Sequence, residues 1–295
     1  MTWWQLSVQS TAAELEQTEN ILLELGALSI NIADARDEPL YEPLPGHTPV
    51  WQESIVTGMF NSEQTPEQLY HDVSHRLPAH QVASIRQTLL EDQDWVQAYR
   101  DHFYPIQCGE NLWIVPSWRD APDPDAVNIE LDPGLAFGTG GHPTTALCLG
   151  WINDHDIKGK TVIDYGCGSG ILGIAACKFG ARHVLGVDID PQAIDASREN
   201  AERNAINPDQ FELSLPQQMD SAPVDLLIAN ILSGPLITLS TSLAKRVKPG
   251  GKLLLSGILR EQENEIQSAY EPFFEVDPAC AQGDWIRITG TRRNG

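Results

Sequence analysis

Near the middle of the chain, Asp164, Gly166, Gly168 and Gly170 occupy alternate positions directly after the apolar run Thr161 to Ile163, and Asp188 follows a second run, His183 to Val187. Glycines at this spacing let a backbone turn sharply and approach a ligand where a Cβ would collide. An acid at the end of the next strand is placed to grip ribose hydroxyls in a doubly wound sheet. The chemistry that these residues can do is therefore the binding of a nucleoside.

Two cofactor classes compete for that geometry. Gly168-Ser-Gly170-Ile-Leu-Gly173 satisfies the dinucleotide pattern G-x-G-x-x-G, so a nicotinamide or flavin enzyme has to be weighed. Asp164 separates the two, because a carboxylate at the end of the first strand sits close to a pyrophosphate and repels it. S-Adenosyl-L-methionine has a ribose, no phosphate, and a sulfonium and an ammonium that suit a carboxylate. Asp164-x-Gly166-x-Gly168-x-Gly170 resembles motif I of the class I methyltransferases; the bland alternative is that Asp164 merely caps its turn.

Elements that would position this turn are readable on both sides. Thr161 to Ile163 is a buried strand, Ile171 to Phe179 a helix ending at Gly180, and His183 to Val187 a second strand. Asp190-Pro191 opens a further helix to about Ala205, and Val224 to Asn230 is a buried strand that ends in an amide. Lys248-Pro-Gly-Gly251 precedes a strand over Lys252 to Ser256, and Phe273 to Asp277 with Asp284 to Thr289 form an antiparallel closing pair. Trp113 to Val115 and Val127 to Leu131 are strands separated by the loop Pro116 to Pro124. The C-terminal half reads as one α/β domain.

Upstream lies a glycine-rich loop, Asp132 to Thr145, followed by an apolar helix over Ala146 to Ile152. Such a loop can fold over a ligand and present hydroxyls and N–H groups to a carboxylate. Phe137-Gly-Thr139-Gly-Gly-His142-Pro-Thr144-Thr145, ahead of motif I, is similar to the ribosomal protein L11 methyltransferase family, and the resemblance extends over essentially the whole chain. It implies that Thr145 contacts the methionine part of the cofactor, with Gly166 beside it and Asp188 on the ribose, and that the loop Phe137 to His142 covers the methionine side. Taken alone, Thr145 reads equally well as a helix cap. Asn230 lies at the carboxyl edge, where open sheets bind ligands, and completes the cofactor set. Many amino-group methyltransferases begin an Asn-Pro-Pro-Tyr-like motif there; this chain has Asn230-Ile-Leu-Ser233, as that family does, so no aromatic ring is supplied to stack on the target.

The N-terminal part is a separate module. Trp3 to Val8 alternates as a strand, Ala12 to Leu25 has helical spacing, Ala27 to Ile32 and Val50 to Phe60 read as strands, Thr65-Pro66-Glu67 opens a helix, and Gln81 to Leu90 ends the set. The order βαββαβ predicts a ferredoxin-like α+β domain. Pro39 to Pro49 is a loop, and Glu91 to Tyr104 a short helix between the halves. The predicted organisation is a substrate-recognition domain over residues 1–92, a linker over 93–115, and a Rossmann-like, doubly wound methyltransferase domain over 116–295. His71 and His75 have the i, i+4 spacing of a metal pair but no nearby third ligand, so no metal is assigned.

Composition narrows the partners. The 295 residues include 41 acids against 19 Lys and Arg, a net charge of -22. Nucleic-acid binding needs concentrated positive charge and is disfavoured, whereas a basic protein would be attracted. Five dispersed cysteines, never as C-x-x-C, argue against both a disulfide framework and a cysteine metal site, and point to a reducing compartment. With no signal segment and no apolar run of membrane length, a cytoplasmic monomer is expected.

The expectation is an S-adenosyl-L-methionine-dependent protein N-methyltransferase. By resemblance its substrate is a basic ribosomal protein, modified on lysines and its N-terminal amine. The alternatives are methylation of a small metabolite, a nicotinamide dehydrogenase, and a non-enzymatic binding module. No general base is identified.

Overall fold

The computed structural model describes residues 3–36, 50–61, 65–90, 103–132, 140–219 and 221–294. The chain divides into two compact units, Met1–Tyr99 and Arg100–Gly295.

In the first unit, β1 (Trp3–Thr11), β2 (Ser29–Asp34), β3 (Glu53–Asn61) and β4 (Arg86–Leu90) form an antiparallel sheet of order β2-β3-β1-β4. Alternate residues of the two central strands, Leu6, Val8 and Ser10 on β1 and Ser54, Val56 and Phe60 on β3, are buried, as a half-covered sheet requires. The cover is α1 (Leu15–Glu24), burying Leu15, Thr18 and Leu22, and α2 (Pro66–Ser74), burying Leu69 and Val73. Thr65 and Gln68 close a capping box around the start of α2, with Pro66 in its first turn. This is the ferredoxin-like arrangement that the βαββαβ order implied. One boundary differs: the strand read over Gln81 to Leu90 begins only at Arg86, because Ala79–Val82 forms a short helix, α3. Buried Gln81 is held there by two hydroxyls, its Nε2 donating to Ser10 Oγ at 3.2 Å and Thr18 Oγ1 at 3.0 Å. The loop Pro39 to Pro49 lies outside the described residues, as does Glu91 to Tyr104 except for its last two positions.

The second unit opens with a small sheet, β5 (Ile106–Gly109), β6 (Leu112–Val115) and β7 (Val127–Glu130), in which β5 and β6 are antiparallel and β6 and β7 parallel. Ile106 to Val115, expected within the linker, is therefore a hairpin. Its Cys108, Leu112 and Ile114 are buried in the core of this unit, so that stretch is fastened rather than linking.

The large sheet has the order β10-β9-β8-β11-β12-β15-β13. β8 (Thr161–Tyr165), β9 (His183–Val187), β10 (Phe211–Ser214), β11 (Val224–Asn230) and β12 (Val247–Leu259) are parallel; β15 (Trp285–Arg292) is antiparallel to β12, β13 (Phe274–Val276) and β14 (Cys280–Gln282). Successive strand residues feed opposite cores. Val162, Leu226, Ile228 and Leu254 pack with α4 (Pro143–Asp154), α5 (Ile171–Lys178) and part of α6 (Pro191–Arg203). Ile163, Leu227, Ala229, Leu253 and Leu255 pack on the other face with α7 (Ser233–Lys245) and α8 (Glu263–Tyr270). The sheet is thus doubly wound, and its chain order reverses between β8 and β11, which fixes where a ligand binds.

At the amino edge, Asp225 ties three strands together. Its Oδ2 accepts from Thr161 N–H at 2.9 Å and Thr161 Oγ1 at 2.7 Å, and its Oδ1 accepts from Lys248 Nζ at 2.7 Å. Burial works against its charge, but the bonds from Lys248 and Thr161 outweigh it and hold the carboxyl at about 2.

Candidate functional site

At the carboxyl edge of the sheet, β8 runs into a turn that needs left-handed backbone at Gly166, Gly168 and Gly170, with φ of 76°, 54° and 78°. L-residues with a Cβ rarely adopt these angles, so the glycines fit a turn rather than a strand. The turn is hung on the neighbouring strand: Gly166 N–H and Cys167 N–H both donate to the Val187 carbonyl, at 2.6 and 3.1 Å.

Asp188 adds a second tie. Its Oδ2 accepts from Gly168 N–H at 2.9 Å and its Oδ1 from Asp190 N–H at 3.0 Å. Both oxygens keep lone pairs free for further donors. Ile189, the next residue, is 79% exposed, an apolar side chain left in the open beside the acid.

Asp164 is buried, 1% exposed. Its Oδ2 accepts from Gly173 N–H at 2.8 Å, while its Oδ1 has no partner among the described residues. Burial pushes the carboxyl up to about 7; the Gly173 bond pulls the other way and the charge of nearby Asp188 adds to the rise. A buried carboxylate with an unused oxygen, beside a glycine turn, is a binding group for a cation.

From the opposite side, α4 brings in Thr145, fully buried in its first turn. The cap of this helix is His142, whose Nδ1 accepts from Thr144 N–H at 3.4 Å and pairs with Thr144 Oγ1 at 2.8 Å. Thr145 is thereby released from capping. Its Oγ1 meets Asn230 Nδ2 at 3.4 Å across the end of β11, and Asn230 Oδ1 is buried without a partner among the described residues. The His142 ring sits edge-on to Trp285 of β15, centroids 4.9 Å apart. Of the loop Phe137 to His142, the part up to Thr139 lies outside the described residues.

Thr145, Gly166, Asp188 and Asn230, the four positions singled out for the cofactor, are thus assembled around one edge. Glycines for close approach, an acid for hydroxyls and an orphaned buried carboxylate oxygen for a cation match the donor and acceptor needs of S-adenosylmethionine. Two supporting residues escape the motif. Ser197 Oγ, fully buried on α6, donates to the Gly168 carbonyl at 2.9 Å, and Asn200 Nδ2 to the Ser169 carbonyl at 2.9 Å. Their signal in the sequence is the i, i+3 spacing of two small polar residues on a helix face otherwise lined by Ala193, Ile194 and Ala201. His71 and His75 are far simpler: their rings are tilted by 37° with centroids 4.2 Å apart, and His75 Nδ1 bonds the His71 carbonyl at 2.7 Å.

Comparison with known proteins places the site in context. Residues 2–293 match the family model described as ribosomal protein L11 methyltransferase (PrmA). The ribosomal protein L11 methyltransferase of Marinobacter nauticus is 52% identical over 298 residues, covering 100% of both chains. That of Aeromonas hydrophila is 49% identical over 301 residues, covering 99% of each. A crystal structure of ribosomal protein L11 methylase from Lactobacillus delbrueckii subsp. bulgaricus superposes with a TM-score of 0.58 at 36% identity, covering 65% of this chain and 100% of that one.

Proposed function

This chain belongs to the ribosomal protein L11 methyltransferase family, and from that premise we propose that it methylates lysine ε-amino and N-terminal α-amino groups of ribosomal protein L11. It is an S-adenosylmethionine-dependent enzyme. The observation that carries the reading is the orphaned Asp164 oxygen beside a glycine turn tied to Asp188.

When bound, S-adenosylmethionine supplies a methyl group activated on a sulfonium. The chain's own residues do the rest. In this reading the free lone pairs of Asp188 accept from the ribose hydroxyls, Ile189 offers apolar surface to the base, and Gly166, with its left-handed φ of 76°, turns the backbone toward the cofactor. Thr145 and Asp164 face its methionine end. Asn230 stands at the border between cofactor and acceptor, and its partnerless Oδ1 is an acceptor for a neutral amine's N–H.

The acceptor must lose its proton before it attacks. Near pH 7.4 this costs a lysine about 4 kcal/mol and an α-amino group under about 1 kcal/mol. Alignment therefore matters more than acid–base help, and the work of the site is to hold two reactants in line and keep water out.

Residues 1–92 serve as the substrate-recognition domain in this proposal. The strand face turned away from α1 and α2 presents Trp3, Gln5 and Ser7 of β1 beside Ile55, Thr57 and Met59 of β3, a largely uncharged surface. The net charge of -22 favours a basic protein over a nucleic acid. Among the described residues no helix is long and apolar enough to cross a membrane.

The test is mass spectrometry of purified ribosomal protein L11 and, in parallel, of a cell extract, each incubated with the chain and labelled S-adenosylmethionine. Label on lysines and the N-terminus is expected. Label found only on small metabolites of a cell extract would replace the proposal with its small-molecule alternative.

A further inference from the structure

Ile231 follows Asn230 and is part of neither the glycine turn nor the acceptor edge. The chain has to leave β11 here and enter α7 two residues later, at Ser233. Half-buried Ile231 is enclosed by glycines from two other strands. A Cβ on Gly166, after β8, would collide with Ile231 Cγ2. A Cβ on Gly257, in β12, would collide with the Ile231 carbonyl oxygen and stand 2.8 Å from its carbonyl carbon and 3.1 Å from its nitrogen.

Gly257 lies in a bulge. The β12·β15 register shifts between Leu255, paired with Ile288, and Ile258, paired with Ile286, so Ser256 and Gly257 face the single residue Arg287. Such an insertion bends its strand. Gly257 has a φ of 82°, and the buried Ser256 Oγ secures the bulge by donating to the Ile286 carbonyl at 3.0 Å.

Asn230 needs this support because its own bonds do not orient it. Among the described residues its side chain meets only Thr145 Oγ1, at 3.4 Å, long for an N–H···O bond. We propose that Ile231 is a positioning residue for methyl transfer: its branched methyl rests on Gly166 and its backbone on Gly257, and together they set Asn230 relative to the cofactor turn. This assignment rests on the methyltransferase reading. Displacements of about 1 Å at such a site cost on the order of a hundredfold in rate, so the effect belongs in transfer rather than in binding.

Valine keeps the Cγ2 methyl of Ile231, whereas leucine keeps the size and loses the branch. The experiment compares the full chain with Ile231→Val, Ile231→Leu and Gly257→Ala, measuring S-adenosylhomocysteine affinity and single-turnover methylation of purified ribosomal protein L11 at saturating cofactor. Ile231→Val should stay within about threefold in rate, while Ile231→Leu and Gly257→Ala fall by about ten- to a hundredfold, with affinity for S-adenosylhomocysteine within about threefold. Equal rates for the valine and leucine variants, or a rate loss matched by an equal loss of affinity, overturn the assignment. If Gly257→Ala fails to fold, the valine and leucine pair decides alone. A wild-type chain that binds S-adenosylhomocysteine but methylates no lysine or terminal amine sinks the methyltransferase reading itself, and this role with it.

Discussion

Asp188 after the end of β9 accepts the Gly168 N–H at 2.9 Å, so the residue proposed to hold the ribose also holds the glycine turn. The two functions separate by substitution. Asp188→Asn keeps an oxygen for Gly168 but loses the charge, and S-adenosylhomocysteine affinity should fall by about tenfold. Asp188→Ala loses both, and the fall should reach about a hundredfold or more. Calorimetric titration checks the order; equal affinities for the two variants would leave no role for the turn.

Asp164 should make cofactor binding depend on pH. Its carboxyl is pushed up to about 7 by burial and the charge of Asp188 against the Gly173 bond, and a cationic ligand prefers the ionised form. Affinity for S-adenosylmethionine should therefore rise with pH, by about tenfold between pH 6 and 8, and Asp164→Asn should flatten the profile. Stability runs the opposite way. A carboxyl whose folded value lies above its unfolded one stabilises at low pH, and that stability is lost as pH rises through 7. Thermal melts of the cofactor-free chain at pH 6 and pH 8, with and without Asp164→Asn, test the sign.

Ser197→Ala leaves the Gly168 carbonyl without its buried donor. An unsatisfied buried group costs about 1 to 3 kcal/mol, and the loss should appear in denaturant midpoints without a change in slope. Cofactor affinity should weaken too, since the same carbonyl belongs to the turn. A variant as stable as the parent would show that the bond is replaced, not needed.

His142 caps α4 as a neutral imidazole, and burial holds it below its usual 6.5. Because the folded value is depressed, the cap is intact above about 6.5 and lost as pH falls through the folded value. Protonation removes the Nδ1 acceptor and puts a positive charge at a helix N-terminus, where it is unfavourable. His142→Ala should cost about 1 kcal/mol near neutral pH. His142→Asn, a pH-independent cap, should melt progressively higher than wild type as pH drops from 7.5 to 5; a constant difference would rule out the titration.

Where residue type forces backbone shape, the sequence was readable. Asp164 to Gly170, Asp190-Pro191 and the run Val224 to Asn230 each lie where their spacing placed them, and β11 has the predicted bounds. Local patterns failed where tertiary contacts decide. Phe211–Ser214 is a four-residue edge strand with Glu212 exposed, too short for its alternation to register. Ile106 to Val115 read partly as a linker because its hairpin is stabilised by packing on the core of the second unit rather than by its turn. The carboxylates and glycines of the site announced themselves, but Ser197, Asn200 and Ile231 are ordinary residues whose neighbours, distant in sequence, give them their position.

The clip of Thr161, Asp225 and Lys248 has a consequence at the opposite end of the sheet. Its carboxyl, held at about 2, stays ionised through the neutral range in which Asp164 changes charge. The side chains that join the amino ends of β8, β11 and β12 therefore keep their charges while the carboxyl end of the sheet changes its own.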